Sequence, residues 1–442
     1  MNDAAHNVRE SALARLNRLP IRSFHRRLMW ILGFVFFFDH ADINTLAFAS
    51  PALMKQWHIS ISTVALLVSA TFMGMFIGST VGGWISDRIG RKKALLGTTL
   101  WYAGFSLLNG LVWNSWGLFI TRFLTGVGIS AMTVVGIAYI SEIYPARVRG
   151  SFQGWIMVIG LSGVPVTAYI ARFCIPLAAW GWRLVFIWGS LGLLFPLLAP
   201  LLEESPRWLE NQGRFDEADR VLDRIEGRVH EYPLPGARPV TPFVPNAGSY
   251  IRLFENSVLP RTVLLVCAWI AITLGFFGFT SWVPSLLVAH GFSLLHSLVW
   301  SSAMSLAIVP GAAIAALISD QWDRKWSTAA VAVVIAICGL FYGLTFRASA
   351  IIIFGLLVEM LIHLFMPLMY AYTAESFPAE IRNSGTGLAY GAGRLANVFG
   401  PLVVALLYKH FGYTSVFVYI AMTWIVVALL VSAFGPRSRT LA

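Results

Sequence analysis

Apolar runs of about twenty residues recur along nearly the whole chain, broken by short polar or charged segments. A helix rises 1.5 Å per residue, so about twenty residues cross roughly 30 Å of hydrocarbon. Backbone inside lipid must satisfy its own hydrogen bonds, and such runs therefore mean helices. The pattern predicts helices over 28–50, 63–85, 94–113, 116–140, 153–176 and 183–202, then over 262–284, 298–318, 328–346, 350–373, 387–408 and 413–434. The expected fold class is an all-α membrane protein of twelve transmembrane helices in two six-helix halves. Residues 1–27 form an N-terminal segment, 28–202 the first half, 203–261 a central loop, 262–434 the second half and 435–442 a tail.

Composition agrees with that pattern. Of the 442 residues, 57% are apolar and 12% charged, about half the charge of a soluble domain. The net charge of +11 raises the question of a nucleic-acid partner, and its distribution argues against one. With both termini inside, the cytoplasmic segments carry 25 of the 32 Lys and Arg residues and the outer loops only Lys55, Arg347 and Lys409. That is the positive-inside asymmetry, and most of the charge faces the anionic inner leaflet. The first 27 residues hold six arginines and no apolar core, so no cleavable leader is expected, and 20–27 reads as an amphipathic lead-in. Cys174, Cys267 and Cys338 lie far apart, without disulfide or zinc spacing.

The one long connection joins the two halves. Its first part, ESPRWLENQGRFDEADRVLDRIE, is charged with helical spacing, and its second is a proline-rich linker. A constant shift of 233 residues superposes Pro51 on Pro284, Asp87, Arg91 and Lys92 on Asp320, Arg324 and Lys325, and Glu142, Pro145 and Arg149 on Glu375, Pro378 and Arg382. This is a parallel repeat, and it places a site between the halves near the midplane. Gly74, Gly78 and Gly82, four apart, suit close helix packing, while Pro165, Pro196, Pro310 and Pro367 are expected to kink helices.

The loop G-W-I-S-D-R-I-G-R-K-K, from Gly83 to Lys93, resembles the signature loop of the major facilitator superfamily. A degenerate copy, S-D-Q-W-D-R-K, lies in the second half. The resemblance covers the chain from helix one to helix twelve. E-S-P-R-W-L with G-R-F-D-E-A, S-E-I-Y-P-A-R-V-R-G and A-E-S-F-P-A-E-I-R-N-S-G-T-G resemble the sugar-porter and organic-anion branch, and G-R-L-A-N-V-F-G-P resembles its niacin-transporter-like group. Helix seven lacks the paired glutamine of sugar porters, and the tail lacks their P-E-T-K-G. Helix one instead carries D-H-A-D with P-A-L following, similar to the D-G-x-D…P-A-L of aromatic-acid:proton symporters, with His40 in place of the glycine. R-F-L-T-G-V-G, beginning at Arg122, resembles an element of proton-coupled members.

Ionisable groups inside a bilayer are costly, so each is a functional candidate. Asp39 and Asp42 share one face of helix one. With Arg122 they can form a proton-coupling set, and a static ion pair locking two helices is the competing role. Arg394 can hold a substrate carboxylate through two parallel bonds or pair with Glu359. Glu359 and His363, four apart, can form a second proton relay or a polar helix contact. Asn397, three residues from Arg394, and the aromatics Trp282, Phe276, Phe277, Phe279 and Tyr390 complete the candidate substrate pocket. At the inner helix ends, Asp87, Arg88, Arg91, Glu142, Arg149, Glu375 and Arg382 can pair to form a gate that closes the cytoplasmic side. The competing reading takes them as topology signals only.

The sequence predicts a secondary transporter, not an enzyme, embedded in the inner membrane with both termini cytoplasmic and acting as a monomer without a cofactor. A nucleotide-binding loop is missing, which argues against ATP drive. The expected function is proton-coupled symport of a small organic anion such as an aromatic or heterocyclic carboxylate. The alternatives are sugar or polyol symport, efflux of a drug or metabolite, and a non-transporting membrane sensor.

Overall fold

The computed structural model describes residues 11–227, 249–318, 323–378 and 381–436. Among them lie the twelve membrane helices, ten of which are long and apolar enough to cross a bilayer unaided. The other two are the less apolar helix three (Arg91–Leu111) and helix six, Gly181–Gly189 continued by 3-10 turns through Leu197. Helix one is Ser23–Trp57, two Ile61–Ile89, four Ser115–Ile143, nine Arg324–Leu344, ten Ala348–Glu375 and eleven Arg382–Phe411. Helix twelve runs from Tyr413 to Leu429 and closes with a π turn to Phe434. The proline-rich part of the central loop, the repeat's Asp320 and the final six residues lie outside the described residues.

Three helices expected to be continuous are broken. Helix five divides into Ala146–Leu161 and Gly163–Cys174, and helix eight into Leu294–Ser305 and Ile308–Ile318. Each break falls three or four residues before a proline, Pro165 and Pro310. There the ring clashes with the carbonyl of residue i−4 and removes the amide that would bond it. Helix seven divides at Ser281–Trp282 into Leu259–Thr280 and Val283–Ala289, just before Pro284. Pro196 lies in the 3-10 turns of helix six, whereas Pro51, Pro367 and Pro401 sit inside unbroken helices.

The glycine spacing acts as expected. A Cβ at Gly74 or Gly78 would overlap the backbone carbonyls of Phe123 and Val127 on helix four, and one at Gly82 would stand 2.5 Å from Ala131 Cα. Gly126 returns the contact against Thr71. Helices two and four therefore touch backbone to backbone, which fixes the height of Arg122 on helix four relative to helix two.

The halves meet where helix two packs along helix eleven, helix five along helix eight and helix one against the second piece of helix seven. Ser50 Oγ lies 2.8 Å from Ser285 Oγ across this seam, and the rings of Phe72 and Phe277 meet edge to face at 4.7 Å.

The charged part of the central loop forms two helices, Pro206–Asn211 and Phe215–Gly227, capping one end of the first half. A short helix, Ala12–Arg18, docks on them, so the N-terminal segment is more ordered than an amphipathic lead-in over 20–27 alone. Arg15 reaches Asp219 at 3.2 Å, Asp223 at 2.6 Å and Glu226 at 2.7 Å. The hydrogen bond to Glu226 leads the causes that hold this guanidinium above its ordinary value.

Candidate functional site

Charge inside the bundle gathers in three places. The first lies within the N-terminal half. Asp42 Oδ2 stands 3.3 Å from Arg122 Nη1, with both side chains essentially inaccessible at 0% and 1%. Ser106 Oγ on helix three donates to Asp42 Oδ1 through a short bond. Arg122 Nε donates to Thr71 Oγ1 at 3.2 Å, and its Nη1 reaches Thr45 Oγ1 at 3.4 Å. The sequence put Asp42 and Arg122 together because helix one holds the only carboxylates of that half's membrane core. It did not single out Ser106, Thr71 or Thr45, since hydroxyls are common in membrane helices and carry no spacing signal.

The second place is the seam between the halves. Arg394 on helix eleven donates from Nη1 to Ser130 Oγ on helix four through a short bond, and from Nη2 to Tyr390 Oη at 3.1 Å. Its guanidinium carbon stands 4.8 Å from the centre of the Tyr390 ring. Tyr390 in turn packs on Trp269 at 5.1 Å and on Tyr370 at 5.4 Å. Internal pairing of Arg394 with Glu359, one expected option, is not the arrangement found. Helix ten turns Glu359 toward His363, while both hydrogen-bond partners of Arg394 are neutral hydroxyls. Asp39 is the carboxyl group within electrostatic range of Arg394. Asp39 is buried; its Oδ2 accepts from Thr133 Oγ1 at 3.4 Å, and its Oδ1 is without a hydrogen-bond partner among the described residues.

The third place is helix ten. His363 Nδ1 lies 3.6 Å from Glu359 Oε2 and 2.8 Å from the carbonyl of Glu359. The His363 ring meets Phe276 edge-on at 5.5 Å. Trp282 and Asn397 face a small separate cleft with Leu274, Phe277, Gly278, Gly400 and Pro401. Phe279 is buried against Tyr342 at 5.1 Å, inside the second half, and so takes no part in lining the seam. A further cleft between helices one, two and four, with Ser281 of helix seven at its edge, reaches Arg122 beside Thr71 and Phe72.

The loop charges pair, but within each half. Arg91 binds Asp87 at 2.8 Å and Glu142 at 2.9 Å, while Arg324 binds Glu375 at 2.6 Å. Arg88 lies over the Trp84 ring at 4.0 Å, and Arg382 is exposed. Arg149 Nε is buried without a hydrogen-bond partner among the described residues. A carboxylate absent from the expected set completes this cluster. Glu204 Oε1 accepts from the amides of Arg91 at 2.8 Å and Lys92 at 3.0 Å, the first turn of helix three. A negative group at a helix N-terminus satisfies orphan amides and meets the positive end of the helix dipole. Gly90, at φ +98°, turns the chain there, and a Cβ on it would collide with the Glu204 carboxylate.

A twelve-helix bundle of two halves, with charge buried inside each half and an arginine on the seam between them, is the architecture of a membrane transporter. The chain belongs to the Major Facilitator Superfamily, whose model matches residues 32–362 and 299–442. It is 44% identical over 433 residues to YyaJ of Bacillus subtilis (strain 168), described as a metabolite transport protein, covering 97% of this chain and 96% of that one. It is 30% identical to the niacin transporter NiaP of Acinetobacter baylyi, with 97% of each chain covered. Among solved structures, the partially occluded inward-open xylose transporter XylE of E. coli superposes with a TM-score of 0.76 at 19% identity, over 95% of this chain and 99% of that one.

Proposed function

We propose that this chain couples protons to the uptake of a small monoanionic carboxylate on a flat aromatic or heterocyclic ring, acting as a monomer with its basic end toward the cytoplasm. The observation that carries the reading is Arg394. It is a guanidinium on the seam, hydrogen-bonded to two neutral hydroxyls and flanked by Tyr390, Tyr370 and Trp269. A guanidinium presents a fork that matches a carboxylate with two parallel bonds, and aromatic faces suit a flat ring. Niacin, the substrate named for NiaP, has this chemistry.

The same arginine links binding to alternation. Its bond to Ser130 joins helix eleven to helix four, hence one half to the other. A carboxylate that takes the Nη1 donor releases that strut, so substrate and seam compete for one group. A ligand shifts a conformational equilibrium only by such a difference in contacts between the states. Asp42 with Arg122 supplies the coupled proton, with Asp39 between this pair and the anion site.

The test is uptake of labelled nicotinate, benzoate and xylose by the purified protein in proteoliposomes, with and without an imposed pH gradient. Accumulation of the carboxylates driven by an acidic exterior supports the reading. Uptake of xylose alone overturns it, and counterflow without net coupling leaves a facilitator.

A further inference from the structure

His40 stands where the resembling motif has glycine, and the coupling scheme above makes no use of it. It has a counterpart across the seam. His40 Nδ1 lies 2.9 Å from the carbonyl of Phe36, four residues back, and His363 Nδ1 lies 2.8 Å from the carbonyl of Glu359, also four back. A carbonyl can only accept, so both rings carry their neutral-state proton on Nδ1 and leave Nε2 as the basic nitrogen. Each ring also stands beside a buried acid of its own helix. Asp39 Oδ2 is 3.5 Å from His40 Nδ1, and Glu359 Oε2 is 3.6 Å from His363 Nδ1. Glu359 Oε2 is buried without a hydrogen-bond partner among the described residues.

We propose, building on the carboxylate reading above, that the Glu359–His363 pair of helix ten is a relay that carries a second proton with each substrate. An ionised, unpartnered carboxylate in hydrocarbon is costly. One proton removes that cost, either on the Glu359 carboxyl itself or on His363 Nε2, which leaves an imidazolium 3.6 Å from the carboxylate. The groups that face the pair are few. Helix one offers His40, helix nine offers Tyr342, and helix twelve offers Tyr413 through Tyr342. Helix seven contributes the Phe276 ring, and Arg394 on helix eleven acts on Asp39. No bond other than N–H and O–H changes. The proton enters from one side, resides on the pair and leaves to the other.

The consequence is electrical. One proton with a monoanion moves no net charge, whereas two protons move one positive charge inward. An interior potential of about −100 mV is worth ~2.3 kcal/mol per charge, or about 40-fold in accumulation at 1.4 kcal/mol per factor of ten. With nicotinate as probe in proteoliposomes, the wild type is expected to gain about that factor from a potassium diffusion potential. Glu359→Gln is expected to keep pH-driven uptake and lose the response to potential. His363→Gln repeats the test should the first variant fold poorly. A wild type indifferent to potential, or a Glu359→Gln protein that responds in full, overturns the proposal.

A second measurement needs no substrate. Infrared difference spectra between acidic and alkaline buffer should show a protonated-carboxyl band that Glu359→Gln removes, in a background of Asp39→Asn and Asp42→Asn. A band untouched by Glu359→Gln rules out the site. If nicotinate is not carried at all, the substrate reading falls while this band still decides the relay.

Discussion

Replacing Asp42 with asparagine separates proton coupling from a structural lock. The pair with Arg122 is fully buried at 3.3 Å, and removing one partner of a buried pair costs about 3–5 kcal/mol when the other charge is stranded. Arg122 is not fully stranded here. It keeps Thr71 at 3.2 Å, Thr45 at 3.4 Å and the carbonyl of residue 42 at 3.5 Å. The amide also retains an oxygen for Ser106. The loss should fall at or below the lower bound, about 3 kcal/mol, which is roughly a hundredfold in an equilibrium. As a coupling group, Asp42 must bind and release a proton, and an amide imitates only the protonated form. Asp42→Asn should then lose the share of accumulation that its own proton drives, about tenfold per pH unit, and leave counterflow exchange intact. Uptake and exchange are measured in the same proteoliposomes at matched protein levels, with a melting curve in detergent. Loss of both modes together with a lower melting temperature would show a static lock. Full accumulation by Asp42→Asn and Asp39→Asn would remove helix one from the mechanism.

Three further outcomes follow from the geometry. Arg394→Lys keeps the charge and loses the fork, so the KM for a carboxylate should rise about ten- to a hundredfold; an unchanged concentration dependence of uptake would remove Arg394 from the anion site. Gly78→Ala sets a Cβ 2.8 Å from the Val127 carbonyl carbon and should destabilise the helix two–four contact by about 1–3 kcal/mol, read as a fall in melting temperature; an unchanged melt would mean the helices separate freely. Asp87 is 72% exposed, and Arg91 retains Glu142 without it, so Asp87→Asn should shift stability by under about 1 kcal/mol while slowing transport through the gate; normal transport would leave the loop charges as topology signals.

How far the sequence carries depends on the range of each interaction. Helix existence rests on runs of apolar residues that any single stretch displays, and all twelve are found. Helix continuity rests on proline, whose effect depends on context. Pro165 and Pro310 break their helices, while Pro367 is accommodated inside helix ten. Nothing in the local sequence separates these cases, because a freed carbonyl can be satisfied by a neighbouring helix or a hydroxyl that only the fold supplies. Pairs three or four apart on one helix, such as Glu359 with His363, are readable from spacing alone. Asp42 with Arg122, 80 residues apart, was readable for a different reason. A buried cation needs a counterion, and the first half offers very few.

Contacts across the seam had neither kind of signal. Ser130 is one serine among many, yet it holds the arginine on which the proposed anion site rests. Glu204 lies in a motif noticed for its resemblance, while its work is to cap a helix whose first residue is 113 positions away. In both cases the sequence shows the charged partner and hides the neutral one, because a hydroxyl or a backbone amide is ordinary everywhere in the chain. The same asymmetry explains the loop charges. Asp87, Arg91, Glu142, Arg324 and Glu375 were visible as a group, but each carboxylate had several cations within plausible reach. Pairing inside each half needs no particular conformation of the two halves, whereas pairing between them holds in only some. The seam holds bonds of a different kind, where Arg394 meets Ser130 and Ser50 meets Ser285, each joining one half to the other.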